Sequence, residues 1–278
     1  MHNRAQIDEL LLRHGLAPRR DLGQNFVADA NTVRRIARLA EIGPTDHVLE
    51  IGPGLGSLTL ALAETGATVI AVEIDRGVVP VLREITAHLP NVTVVEGDAM
   101  HLDWETLLAA APAWVMVANL PYNVATPLVC DVLDYVPQIE RMLVMVQREV
   151  AERMCAAPRT QAFGAVSVKI AYWATARISG YVPATVFVPR PKVESALADI
   201  RRRPEPAVSA PRKLMFELIK VAFGQRRKMM RRSLGALVEA TTFEAADIDA
   251  QRRPEELSVE EWGRLAHAVE TQRRVTLA

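Results

Sequence analysis

Four apolar runs in the first half of this chain each stop at, or just before, a residue able to hold a ligand. Residues 46–51 lead into Gly52, residues 68–73 end on Glu73, residues 91–96 precede Asp98, and residues 114–119 end on Asn119. Helical apolar spacing separates several of these runs, over 58–64, 78–88 and, beyond Asn119, 126–134, before a fifth run at 141–147. Runs of five or six apolar residues alternating with helices predict βαβ units and a mostly parallel sheet covered on both faces. Open sheets of that kind bind ligands beyond the carboxyl ends of their strands, so Gly52, Glu73, Asp98 and Asn119 are predicted to converge on one crevice.

The first run opens into Gly52-Pro53-Gly54-Leu55-Gly56. Glycines in a strand-to-helix turn let backbone approach a ligand closely, which suits a dinucleotide or S-adenosylmethionine equally. Glu50 and Glu73 place carboxylates beside that turn, and Glu73 can accept from ribose hydroxyls in either case. Glu96-Gly97-Asp98-Ala99 tips the reading towards the methyl donor, because Asp98 is placed to accept from an adenine amine.

Asn119-Leu120-Pro121-Tyr122 supplies the acceptor side. An exocyclic ring amine is a poor nucleophile because its lone pair is delocalised. The Asn119 side-chain oxygen and the Leu120 carbonyl would favour a pyramidal nitrogen aimed at the methyl group, and would gain strength as charge develops. Pro121 stiffens the turn, Tyr122 offers a stacking face, and Phe187 is expected as a second wall. A base extruded from RNA is the substrate this pocket predicts. The histidines at 47, 88 and 101 are read as surface or packing residues, since the proton can leave to water.

Further along, residues 3–16 and the stretch from Ala30, capped by Asp29, are predicted helices, and 19–29 a loop. Helix is also expected over 149–155, and strands over 165–171, 174–181 and 196–201, with a proline-rich loop at 182–195. The Pro204-Glu205-Pro206 region marks the expected boundary between a domain over 1–205 that binds S-adenosylmethionine and a helical one over 206–278 that binds RNA or the ribosome. Helices there are expected near 214–223, 231–239, 245–248 and 259–271.

The 278 residues, 50% hydrophobic and 24% charged, suit one substantial core and a smaller unit. Charged residues throughout positions 4–20 predict no secretory leader, and no apolar run is long enough for a membrane span, so a cytoplasmic location is expected. Cys130 and Cys155 read as free thiols, and no metal site is expected. The formal net charge is zero, yet residues 201–232 hold eleven Lys or Arg against Glu205 and Glu217. Arg226, Arg227, Lys228, Arg231 and Arg232, with Arg148, Arg190 and Lys192 nearer the pocket, are the predicted phosphate contacts.

These stretches, with Leu22-Gly23-Gln24-Asn25-Phe26, Gln147-Arg148-Glu149-Val150-Ala151 and Pro189-Arg190-Pro191-Lys192-Val193-Glu194-Ser195, resemble the bacterial small-subunit ribosomal RNA adenine dimethyltransferases over nearly the whole chain. The resemblance implies a Rossmann-like class I methyltransferase fold with a small helical C-terminal domain. It implies N6-dimethylation of two adjacent adenosines in the 3′-terminal hairpin loop of 16S ribosomal RNA, a monomer, and an immature 30S particle as partner. It also implies that Asn25, Val27, Gly52, Glu73, Asp98 and Asn119 contact the cofactor or its immediate site. Leu22 stands where the family usually has an aromatic residue, Val27 where leucine is common, and Phe163 where tyrosine is common. Three other readings stand beside this one: a 23S ribosomal RNA adenine methyltransferase of the macrolide-resistance type, an assembly factor acting mainly by binding, and an NAD-linked dehydrogenase. The last leaves Asn119 and Tyr122 without a purpose.

Overall fold

A computed structural model describes residues 1–277. The chain opens with α1 (Arg4–Arg13), β1 (Phe26–Val27) and α2 (Ala30–Leu39). Asn3 and Asp29 cap the two helices, accepting from Gln6 N–H at 3.0 Å and Thr32 N–H at 2.6 Å. The alternating section follows: β2 (His47–Ile51), α3 (Ser57–Ala63), β3 (Thr68–Glu73), α4 (Val78–Thr86), β4 (Val92–Glu96), α5 (Trp104–Leu107), β5 (Trp114–Asn119), α6 (Ala125–Tyr135) and β6 (Ile139–Gln147). Then come α7 (Arg148–Met154), α8 (Ala165–Trp173), β7 (Ala174–Val182), β8 (Phe187–Val188) and β9 (Ser195–Arg202).

Among the described residues seven strands form one sheet in the order β4-β3-β2-β5-β6-β9-β7. The pairs from β4 through β6 are parallel, and β9 runs antiparallel to β6. The order reverses between β2 and β5, the place where a doubly wound sheet opens a crevice. Strand β5 is buried through Ala118 and emerges only at Asn119, so the sheet presents that amide at its carboxyl edge. Outside the sheet, β1 pairs antiparallel with β8, setting Val27 opposite Phe187.

Two compact units divide the chain: Met1–Ala151 with Arg177–Arg202, and Glu152–Ala176 with Arg203–Ala278. The chain's last crossing between these units falls between Arg202 and Arg203, and 152–176, expected in the first domain, groups with the helical unit. The expected strand at 165–171 is instead α8. Its apolar run looks like a buried strand, yet the Ser167 hydroxyl accepts from Gly164 N–H at 3.0 Å, closing a helical first turn. Val168 and Tyr172, four residues apart, then share the face that packs into the second unit's core. That core also gathers α9 (Arg212–Gly224), α10 (Met230–Ser233), α11 (Ala240–Ala245) and α12 (Val259–Leu277) around the fully buried Trp262. Helix α10 stops short of the expected 231–239, before Gly235, where a Cβ would lie 2.6 Å from the Arg231 carbonyl oxygen. The helix expected at 245–248 lies earlier, as α11.

Two arginines of the basic run spend their guanidinium groups on the fold. Arg202 donates from Nη1 to the Leu133 carbonyl and from Nη2 to the Val132 carbonyl, both at 2.9 Å, closing the end of α6. Arg201 meets Glu41 and Asp199. The positive surface near the chain's last domain crossing is thus smaller than the sequence count suggested.

Candidate active site

The turn after β2 is built by glycines that no other residue replaces without strain. Gly52, Gly54 and Gly56 have φ of 68°, 56° and 79°. A Cβ on Gly54 would lie 2.9 Å from two ring carbons of Phe26, so the β1 segment closes directly onto the turn. Helix α1 backs this arrangement. Ile7, Leu10 and Leu11 pack in one cluster with Phe26 and Leu55, and His2 bonds the Leu55 carbonyl at 3.0 Å.

Glu73 is 4% exposed, and its two oxygens accept from Gly54 N–H and Asp75 N–H, each at 2.9 Å. Burial pushes this carboxyl upward, and those two donors pull it back. Glu50 is buried more completely. Burial raises it to about 8, the Thr59 hydroxyl opposes the rise and Glu73 adds to it. Thr59 stands near enough to favour the charged form slightly, but neither Thr59 Oγ1 nor Glu50 Oε2 completes a hydrogen bond of good geometry. Ser57 Oγ is likewise buried without a partner. Orphaned polar atoms are uncommon in folded proteins, and Glu50 and Ser57 both line the cleft. Asp98 sits at the rim, held below the usual carboxylate range by Met100 N–H and then by the His101 ring.

Asn119 spends its amide nitrogen on the Asn25 carbonyl, at 3.1 Å. That bond sets the side chain's orientation and leaves Oδ1 as the acceptor end. Leu120 N–H donates to the Met145 carbonyl at 3.0 Å, so β6 holds this peptide as well. Val124 and Ala125 N–H groups close the turn onto the Pro121 carbonyl. Tyr122 is half-buried and lines the cleft, and its hydroxyl meets Ser195 Oγ at 3.3 Å. Ser195 is 1% exposed and lies opposite Gln147 in the β6–β9 register, so the phenol ring is tethered to the sheet.

The cleft gathers Asn25, Val27, Glu50, Gly52, Gly54, Glu73, Asp98, Ala99, Asn119, Leu120, Pro121 and Tyr122 in one place. Two expected members are absent from its lining. Gly56 turns the chain into α3 instead of facing the cleft. Phe187 does not line the cleft: it is fully buried on β8, packed with Val27, Val33, Val182 and Leu197. Its pairing with Val27 turns it into the layer beneath the site, where a large ring gains more from burial than from facing water.

A family model described as ribosomal RNA adenine dimethylase matches residues 15–271. The chain belongs to this family. Ribosomal RNA small subunit methyltransferase A of Acidothermus cellulolyticus is 45% identical over 278 residues, spanning 96% of this chain and 94% of that protein. Its counterpart from Streptomyces coelicolor is 45% identical over 273 residues and 94% of each chain. Among solved structures, a dimethyladenosine transferase from Plasmodium falciparum shares the fold, with a TM-score of 0.75 at 22% identity, covering 88% of this chain and 97% of that one. The 23S rRNA methyltransferase ErmE gives 0.68 at 27% identity, covering 88% and 100%. The architecture is the Rossmann-like class I methyltransferase fold.

Within this dimethylase, residues the sequence did not single out also line the cleft. Phe26 sets an aromatic ring in the lining, and Ile74 leaves an apolar side chain 46% exposed beside Glu73. An exposed Ile directly after a strand-end acid was the available signal. Ser195, which tethers Tyr122 without lining the cleft, had only its place in the Pro189–Ser195 stretch as a signal. The predicted phosphate contacts Arg190, Lys192, Arg227, Lys228, Arg231 and Arg232 are exposed. Arg148 is exposed too but pairs with Glu194, and the half-buried Arg226 donates to the Gln161 carbonyl. No helix among the described residues is long and apolar enough to cross a membrane.

Proposed function

We propose that this chain transfers methyl groups from S-adenosylmethionine to the N6 amines of two adjacent adenosines in the 3′-terminal hairpin loop of 16S ribosomal RNA. One observation carries the reading: the Asn119 amide, pinned through its nitrogen by Asn25, lines the same cleft as the tethered Tyr122 ring.

The cleft's own chemistry suits the donor. Glu50 Oε2 and Ser57 Oγ are buried polar atoms in want of a partner, fitting the amino-acid end of the ligand. Gly52 and Gly54 admit backbone-close approach, Glu73 and Asp98 offer acceptors for ribose and adenine, and Val27 and Ile74 offer apolar surface. Bound there, S-adenosylmethionine supplies a methyl group already activated by its sulfonium. The protein's task is then to place the nucleophile. Tyr122 stacks the extruded base. Asn119 Oδ1 and the Leu120 carbonyl accept from its amine, orienting the nitrogen lone pair and stabilising the positive charge that grows on it. The proton leaves to water.

Arg190 and Lys192 in one unit, and Arg226, Arg227, Lys228, Arg231 and Arg232 in the other, contact phosphates in this reading. The partner is an immature 30S particle in the cytoplasm and the protein acts as a monomer. The named relatives, small-subunit methyltransferases at 45% identity, support this assignment over the 23S alternative. Undermethylated 30S and 50S particles are incubated with the protein and labelled S-adenosylmethionine, and the RNA is mapped by position-resolved mass spectrometry. Dimethylation confined to two neighbouring 16S adenosines is expected. Label only in 50S particles overturns the reading.

A further inference from the structure

The tether that holds Tyr122 continues, one residue along, into a second device. Ser195 meets the Tyr122 hydroxyl, and its neighbour Glu194 holds Arg148 twice. Arg148 N–H donates to the Glu194 carbonyl at 3.0 Å, and Arg148 Nη1 donates to Glu194 Oε2 at 3.3 Å. The guanidinium so held lies over the Tyr181 ring, with Cζ 5.0 Å from the ring centroid. Arg148 keeps 52% of its side chain exposed and Tyr181 is 47% exposed.

An exposed ion pair adds little to stability, and immobilising an arginine costs side-chain entropy. A planar cation backed by an aromatic ring is, however, a surface that unstacked bases settle on. Its position is set by the chain: residues 194 and 195 tether Arg148 and Tyr122, so the two stacking surfaces flank a single strand end. When a target adenosine leaves its stack, the base beside it loses a stacking partner and needs another.

We propose that Arg148 and Tyr181 form a two-layered stacking platform for the base next to the target adenosine. The platform rests on the RNA-adenine reading above and adds a subsite to it. It differs from a phosphate contact in requiring a plane as well as a charge. Lysine serves a phosphate but cannot stack, and a phosphate contact has no use for the Tyr181 ring.

The test is steady-state methylation of undermethylated 30S particles across a salt series, with cofactor affinity measured separately by calorimetry. Tyr181→Leu and Arg148→Lys should each raise KM for particles roughly 5- to 100-fold. Their kcat, cofactor affinity and salt slope should stay with the parent, because no phosphate contact is lost. Tyr181→Phe should rescue KM. Arg148→Lys changes an exposed side chain and so remains informative should Tyr181→Leu fold poorly. Unchanged KM in both variants overturns the platform. So does a normal Arg148→Lys beside an Arg148→Ala with raised KM and a shallower salt slope, which is the mark of a phosphate contact. A parent protein that leaves 16S adenosines unmethylated while still binding the cofactor overturns the underlying reading instead.

Discussion

Replacing Glu50 with glutamine tests how the cleft manages charge. Glu50 is 1% exposed at the end of β2, and burial lifts its carboxyl from 4.5 to about 8. Below pH 4.5 the folded and unfolded chains both hold this proton, and between there and about 8 the folded chain alone holds it. Unfolding free energy therefore falls as pH rises through that window and levels off above it. The displacement corresponds to at most about 5 kcal/mol. Glu73, also raised by burial, contributes with the same sign in both proteins, so only its coupling to Glu50 enters their difference. Asp98, Asp103 and Glu261 are held low and act with the opposite sign at more acid pH, outside the window. Urea unfolding followed by hydrogen exchange in peptides from β2 and β5 reports this unit by itself. Glu50→Gln should gain stability relative to the parent between about pH 5 and about pH 8, by a few kcal/mol. A cationic ligand end docking at Oε2 would also draw the proton off. Calorimetry of S-adenosylmethionine in buffers of different ionisation heat should then show proton release near neutral pH in the parent and none in the variant. Parallel stability profiles for the two proteins would refute the reasoning.

Two further substitutions separate the site from its support. Gly54→Ala forces a side chain into φ 56° and to within 2.9 Å of the Phe26 ring, so calorimetry should show cofactor affinity reduced by about tenfold or more, with partial recovery in Gly54→Ala/Phe26→Leu. Phe187→Ala removes a fully buried ring and should lower stability by about 3–5 kcal/mol in urea, while kcat per folded molecule stays close to the parent value.

The crevice was legible in the sequence because strand ends announce themselves. An apolar run that stops on Glu73 or Asn119 fixes both the strand and the direction of its last side chain. Asp29 as a cap was legible for the same local reason. Contacts between distant segments were not. Phe187 and Phe26 are both aromatics beside proline or glycine loops, and only the β1–β8 pairing decides which one faces the cleft. The Asn25 carbonyl that orients Asn119 lies 94 residues away from it, and a backbone acceptor leaves no mark on composition. Helix α8 was misread because its apolar run carries little of the one-sided patterning that marks a helix. The basic run was overcounted because charge alone cannot tell Arg202, spent on the carbonyls ending α6, from Arg227 in water.

In the proposed mechanism, Asn119 Oδ1 accepts from the target amine as charge develops there. Single-turnover methylation of 30S particles by Asn119→Ala, at saturating cofactor and particle concentrations, measures that directly. A rate about 100- to 1,000-fold below the parent is expected, with particle affinity retained. A rate within a few-fold of the parent would contradict it.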